Sequence, residues 1–223
     1  REIGPSLGFW KPIVISHHML IKLQQPKPEL PEIDLLYNII KKNPSPRKTL
    51  YNHCAEYGFD LYELKRKIAI NYPSLTNYLG SPDDPAQGPL IRNFDIVADA
   101  KLSDSNKTEL YKNNLKNVEN FREQYFEERQ MDLKMSKSKP ETAIFMNDSE
   151  AEIKRKIGKA YCPAKIIHEN PVLEYSKYLL FEKFNTMEIK RSEKFCGDVV
   201  IENYAELEKL YKEGKIHPAD IKN

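Results

Sequence analysis

Prolines limit the length of almost every helix this chain can form, because proline lacks the amide N–H a helix interior needs and clashes with the preceding turn. Pro26, Pro28 and Pro31 mark an extended linker. Beyond it Ile33, Leu36, Ile39 and Ile40 fall at helical spacing until Asn43-Pro44-Ser45-Pro46 breaks the run. Ser45 is placed to cap a second helix with Pro46 at its first position, and Gly58 to end it. Asp60-Leu61-Tyr62-Glu63 has the capping-box pattern of a third helix, with Leu61, Leu64 and Ile68 on one face and Pro73 as its stop. Gly80 to Gly88 reads as loop. Asp104 or Ser105 then opens one long helix reaching about Met131, with Leu110, Leu115, Val118, Phe121 and Tyr125 along its apolar side.

The two flanks of this stretch read differently. Arg1 to Phe9 reads as the end of a helix stopped by Gly8, and Pro12 to Ser16 as a buried strand, so the chain opens partway through an α/β pattern. His17-His18-Met19-Leu20 then sits at the carboxyl end of that strand, where α/β sheets bind ligands. After Pro140, Ala143 to Met146 is a short apolar stretch, and Asp148 or Ser149 caps a helix with Glu152 completing a box. Ile153, Ile157 and Ala160 face inward, while Lys154, Arg155, Lys156 and Lys159 form a basic cluster open to two readings, phosphate contact or solvated face. Asn170-Pro171 starts a helix with Val172, Leu173, Tyr175, Tyr178 and Leu179 as a core stripe. Asn203 caps another, with Tyr204, Leu207, Leu210 and Tyr211 inward and Gly214 at its end, and His217-Pro218-Ala219-Asp220 opens a last one.

Charge and cysteine usage exclude some classes. The net charge is +2 over 223 residues, so any contact with a polyanion must be a local patch. Cys54, Cys162 and Cys196 are isolated and odd in number, which indicates neither a disulfide framework nor a zinc site and favours a cytoplasmic, reducing setting. No apolar run is long enough to span a bilayer, so no membrane partner is expected.

The chemistry concentrates in Leu133-Lys134-Met135-Ser136-Lys137-Ser138-Lys139-Pro140. Lysines alternating with serines suit a loop that closes over a polyphosphate and stabilises the charge developing as pyrophosphate leaves. No large apolar residue follows Met135 for several positions, so nothing is expected to pin this loop into a core. The order Lys-Met-Ser-Lys-Ser resembles the KMSKS signature of class I aminoacyl-tRNA synthetases. With Pro140 to Phe145, Asp148-Ser149, Cys162-Pro163, Glu193-Lys194-Phe195-Cys196-Gly197-Asp198 and His217 to Asn223 following in order, the chain resembles the archaeal/eukaryotic tyrosyl-tRNA synthetase family.

The resemblance covers about Arg1 to Gln25 and Leu133 to Asn223 and implies the rest. The fold class is α-rich mixed α/β. Residues 1–26 would be the end of a Rossmann-type catalytic domain, and 27–132 a mostly helical insert outside the family pattern. Residues 133–147 would form the KMSKS segment, and 148–223 a truncated, all-α anticodon-binding domain. The implied reaction is ATP-dependent activation of tyrosine and its transfer to tRNA(Tyr). Lys134 and Lys137 would be catalytic, with Met19, Leu20, Lys134, Met135, Ser136, Lys137 and Ser138 at the ATP, and Mg2+ arriving with that ATP. No resident metal site is implied. The first anticodon base of tyrosine tRNA is a guanine, which needs an aromatic face and an acceptor for its N–H groups. By motif those roles fall on Phe195, His217 and Asp220. The family carries glycine where Lys22 and Cys196 stand. Its HIGH motif and tyrosine pocket have no match here and would lie upstream of Arg1, so a homodimer or a complementing catalytic part is expected. The alternative is a non-catalytic tRNA-binding or protein-interaction module. The three short helices of the insert suggest a helix-turn-helix-like unit with Lys65-Arg66-Lys67 on the third, read either as phosphate contacts or as a solvated face.

Overall fold

The computed structural model describes residues 20–83, 87–99, 102–136, 138–195 and 197–222. The helix end over Arg1 to Phe9, the strand over Pro12 to Ser16, His17-His18, Met19, Lys137 and Cys196 lie outside them. The chain divides into two compact units, one formed by Lys27–Asp132 and the other by Arg1–Pro26 with Leu133–Asn223.

Among its described residues the unit Lys27–Asp132 contains helices and connecting loops and no strand. Its helices are α1 (Glu32–Lys42), α2 (Leu50–Glu56), α3 (Leu61–Asn71), α4 (Pro89–Ala98) and α5 (Asp104–Leu133), with a short turn of helix at Thr76–Leu79. Ile33, Leu36, Ile39 and Ile40 of α1 are buried, as their spacing predicts. The second helix starts later than expected. Thr49, not Ser45, caps it by accepting the Asn52 N–H, and the half-buried Asp95 carboxylate takes the Leu50 N–H at 2.8 Å. Asp60 caps α3 as read, and Gly58 holds a left-handed φ of 83° at the preceding turn. Helix α4 has no counterpart in the sequence reading, although Pro89 stands at its first position behind Gly88. Leu90, Ile91 and Phe94 of α4 join Val118, Phe121 and Tyr125 of α5 in one core with α1 and α3.

Two tyrosines fasten the proline linker to that core. Tyr72 and Tyr125 meet edge to face with centroids 5.1 Å apart. The Tyr72 hydroxyl donates to the Pro28 carbonyl at 2.8 Å, and the Tyr125 hydroxyl accepts the Leu30 N–H at 2.7 Å. Each satisfies a backbone group that the prolines keep out of regular structure.

The other unit carries α6 (Glu150–Lys159), α7 (Pro171–Tyr175), β1 (Met187–Ile189), β2 (Val199–Ile201), α8 (Tyr204–Glu213) and α9 (Pro218–Lys222). Its second half is therefore not all-α. Strands β1 and β2 pair antiparallel, Met187 opposite Ile201 and Ile189 opposite Val199. The run Val199-Val200-Ile201 is β-branched throughout, and Ile189 and Ile201 are buried in the same core as Leu207 and Tyr211. Helix α7 continues through a π-helical turn at Ser176–Leu180, where the Ser176 hydroxyl bonds back to the Val172 carbonyl at 2.9 Å. It serves as a shared wall, sending Leu173 into the core with the hairpin and Val172 and Tyr175 into a second core with Leu23 and Ala160.

Local caps follow the sequence closely. Ser149 accepts the Glu152 N–H, Asn170 the Leu173 N–H and Asn203 the Glu206 N–H. Gly214 ends α8 in the left-handed region at φ 74°, and a Cβ there would meet Lys165 Cε at 2.5 Å.

Candidate functional site

The lysine loop leaves α5 at Leu133 and is shaped by one buried threonine. Thr142, 2% exposed, donates its hydroxyl to the Lys139 carbonyl at 2.7 Å and accepts the Ser136 N–H at 3.1 Å. Ser136 Oγ and Ser138 Oγ lie 2.9 Å apart, so the two serines bond to one another in the loop as it stands. The expectation that nothing pins this loop does not hold. A small polar side chain does it, where the sequence reading looked only for a large apolar one. Met135 packs beside the core of Leu23, Val172 and Tyr175, and its sulfur accepts from the Tyr175 hydroxyl at 3.3 Å. Burial pushes the Tyr175 phenol up to about 12. Lys134 and Ser138 are exposed.

Leu20 packs on the same core as Met135, so these two of the described residues in the predicted ATP-binding set meet there. The strap behind it is tied by its backbone. Lys22 N–H donates to the Leu133 carbonyl, Leu23 N–H to the Thr142 carbonyl, and the Leu23 carbonyl accepts from Tyr161. The Glu174 carboxylate accepts the Ile21 N–H at 3.1 Å, and burial raises its carboxyl above the usual range.

The basic cluster on α6 is spent inside the unit. Arg155 makes a two-bond fork to Glu141, at 2.8 and 2.7 Å, and a third bond to Glu152. Lys156 is 4% exposed, donates to the Ala143 carbonyl and to Asp148 at 2.6 Å, and lies over the Phe145 ring. Lys154 pairs with Glu150 at 2.7 Å. Arg155 and Lys156 brace the segment after the lysine loop, which disfavours the phosphate-contact reading for these two, while the Lys154 pair is exposed and stays within α6. In the helical unit the Lys65-Arg66-Lys67 triplet is likewise not one cationic face: Lys65 is buried, Arg66 pairs with Glu63 and Lys67 with Glu32.

Phe195, His217 and Asp220 line a single cleft of about 590 Å³, together with Arg191, Lys194 and Lys215. Phe195 sits in the connection between β1 and β2 and is 61% exposed, so it is not a core aromatic. His217 and Asp220 cap α9 reciprocally. Asp220 Oδ2 accepts the His217 N–H at 2.9 Å, and His217 Nδ1 accepts the Ala219 N–H. The Arg191 backbone N–H, and after it the Lys190 ammonium, reach Asp198 and hold its carboxyl below the usual range, fixing the base of the connection. An exposed ring beside an acceptor with cations at the rim can stack an unpaired base and take its N–H donors. Arg191 lies in no motif and escaped the sequence reading, and Thr142, although inside the matched Pro140 to Phe145 segment, was given no role there; what each does depends on its backbone partners in the fold.

No helix among the described residues is long and apolar enough to cross a membrane. Residues 101–223 match the model of the class I tRNA synthetases of the W and Y type, and the chain belongs to that family. Within it the likeness is to tyrosine enzymes. The tyrosine--tRNA ligase of Saccharolobus solfataricus is 52% identical over 93 residues, 42% of this chain and 25% of that protein. That of Sulfurisphaera tokodaii is 50% identical over 91 residues, 40% of this chain and 25% of that protein. The tyrosyl-tRNA synthetase of Pyrococcus horikoshii, solved with L-tyrosine, matches at 43% identity with a TM-score of 0.41, over 45% of this chain and 28% of that one. The chain thus spans about a quarter of the length of the curated relatives it matches.

Proposed function

We propose that this chain supplies the nucleotide loop and the anticodon-reading part of a tyrosine-tRNA ligase. In that reading the segment Lys134 to Ser138 closes over ATP, which brings its Mg2+ with it, and the Lys134 and Lys137 ammonium groups stabilise the departing pyrophosphate. Leu20, and Met19 beside it in sequence, back the adenine. The HIGH-type motif and the tyrosine pocket come from a further segment, linked or separate, and the activity belongs to the whole assembly, which in this reading is a homodimer or a complemented pair.

The observation that carries this reading is the cleft holding Phe195, His217 and Asp220 together, although the first is separated from the other two by β2 and all of α8. The Phe195 ring stacks the first anticodon guanine, His217 flanks it, and the Asp220 carboxylate accepts its ring N–H and amino group. The test is binding of the chain to tRNA(Tyr), with ATP–pyrophosphate exchange measured once a polypeptide bearing the catalytic segment is added. Binding to tRNA(Tyr) with tyrosine-dependent exchange is expected. A chain that neither held this RNA nor supported exchange would refute the proposal.

A further inference from the structure

Arg191 is the least conspicuous member of the cleft and has the most connections. Its side chain is 8% exposed, yet it lines the cavity. Its backbone N–H goes to Asp198 at 2.8 Å and its Nε to the Gly197 carbonyl at 3.0 Å, so it grips two successive residues just beyond Phe195. Its Nη1 crosses to the Lys215 carbonyl at 2.9 Å and stands 3.8 Å from Asp220 Oδ2. One planar group therefore ties the connection bearing Phe195 to the segment bearing His217 and Asp220. Among the described residues these two stretches share no strand pairing: β1 pairs with β2, and α8 separates β2 from the second stretch.

We propose that Arg191 is a positioning residue for guanine selection, setting the spacing between the stacking ring and the accepting carboxylate. The proposal rests on the anticodon reading above. A guanidinium suits the task because its donors lie in a fixed plane and can serve carbonyls on two segments at once, which a lysine ammonium on a flexible stem does not reproduce. The 3.8 Å separation also matters. At that distance Arg191 leaves the Asp220 carboxylate without a short bond to the guanidinium, so its oxygens are not consumed by the clamp. Selection between guanine and adenine then depends on the distance Arg191 sets, because adenine presents an acceptor where guanine presents its ring N–H.

The test uses the full chain and two RNA hairpins carrying the tyrosine anticodon loop, one with G and one with A at the first position. Dissociation constants are measured for wild type, Arg191→Met, Arg191→Lys, Asp220→Ala and the Arg191→Met/Asp220→Ala double variant. Arg191→Met is expected to reduce the G-over-A ratio about tenfold, within the range of a lost base-specific contact. Arg191→Lys should recover only part of it, and Arg191→Met should cost no further selectivity in the Asp220→Ala background. Equal weakening toward both hairpins would overturn the proposal, as would additive losses of selectivity in the double variant. If Arg191→Met fails to fold, Arg191→Lys decides: wild-type selectivity there means that charge suffices and the clamp does not position. Absence of any G preference in wild type is a separate result, which removes the anticodon reading itself.

Discussion

The Thr142 hydroxyl donates to the Lys139 carbonyl and accepts the Ser136 N–H, so one buried side chain closes the lysine loop across four residues. Thr142→Val keeps the shape and removes both bonds. A lost hydrogen bond costs about 0.5–1.5 kcal/mol, and here the cost falls on a segment that can respond by opening. Amide exchange at Ser136 and Lys139 should accelerate by more than exchange in α8. Uniform protection across both regions would show that the hydroxyl does not hold the loop.

Asp148 and Glu174 predict opposite pH dependences. The Lys156 ammonium and the Phe145 N–H hold the Asp148 carboxyl below the usual range. Its contribution is present above the ordinary carboxylate value and lost as pH falls through the folded one. The melting-temperature advantage of wild type over Asp148→Asn should therefore shrink as pH drops below about 4. Burial raises the Glu174 carboxyl, so ionising it in the folded protein is unfavourable. Glu174→Gln keeps an acceptor for Ile21 and removes that cost, and its stability relative to wild type should rise with pH above about 4.3. Parallel pH curves for wild type and variant would contradict either assignment.

In the helical unit Phe121 is fully buried, meets the Tyr78 ring and belongs to the core that α1 and α4 also supply. Phe121→Ala should cost about 3–5 kcal/mol in chemical denaturation. The cavity lies within the unit Lys27–Asp132, and the loss should be read there, in the amide exchange of α1 and α4. A loss below about 1 kcal/mol would mean that the site collapses around the smaller residue.

Two substitutions probe the proposed chemistry. Phe195→Ala should weaken binding to tRNA(Tyr) by about 1–3 kcal/mol, the usual worth of one base–aromatic stack. Because the ring is exposed, the melting temperature should hardly move. Lys137→Ala, placed in an assembly competent for exchange, should slow adenylate formation by a few kcal/mol of transition-state stabilisation, with tRNA binding unaltered. Unchanged exchange would remove Lys137 from the reaction.

The sequence by itself determined the features that act over three or four residues. Caps at Asp60, Ser149, Asn170 and Asn203, the left-handed stop at Gly214 and the length of α5 all follow from bonds or spacing within one turn. Helix α4 carried a similar signal in Gly88-Pro89 and was hidden by the loop residues before it. The start of α2 was decided by tertiary structure, because Asp95 of α4 takes the Leu50 N–H and so favours Thr49 over Ser45. The hairpin of β1 and β2 has only three residues a strand, too few for alternation to show, and exists because Ile189 and Ile201 share a core with α8. Sequence also marked Phe195, His217 and Asp220 one by one, through motif alone. Only the folded chain decided that they face one cleft, because the contacts that join them run through Arg191 to carbonyls of Gly197 and Lys215, and a bond to a distant carbonyl leaves no trace in the spacing of side chains.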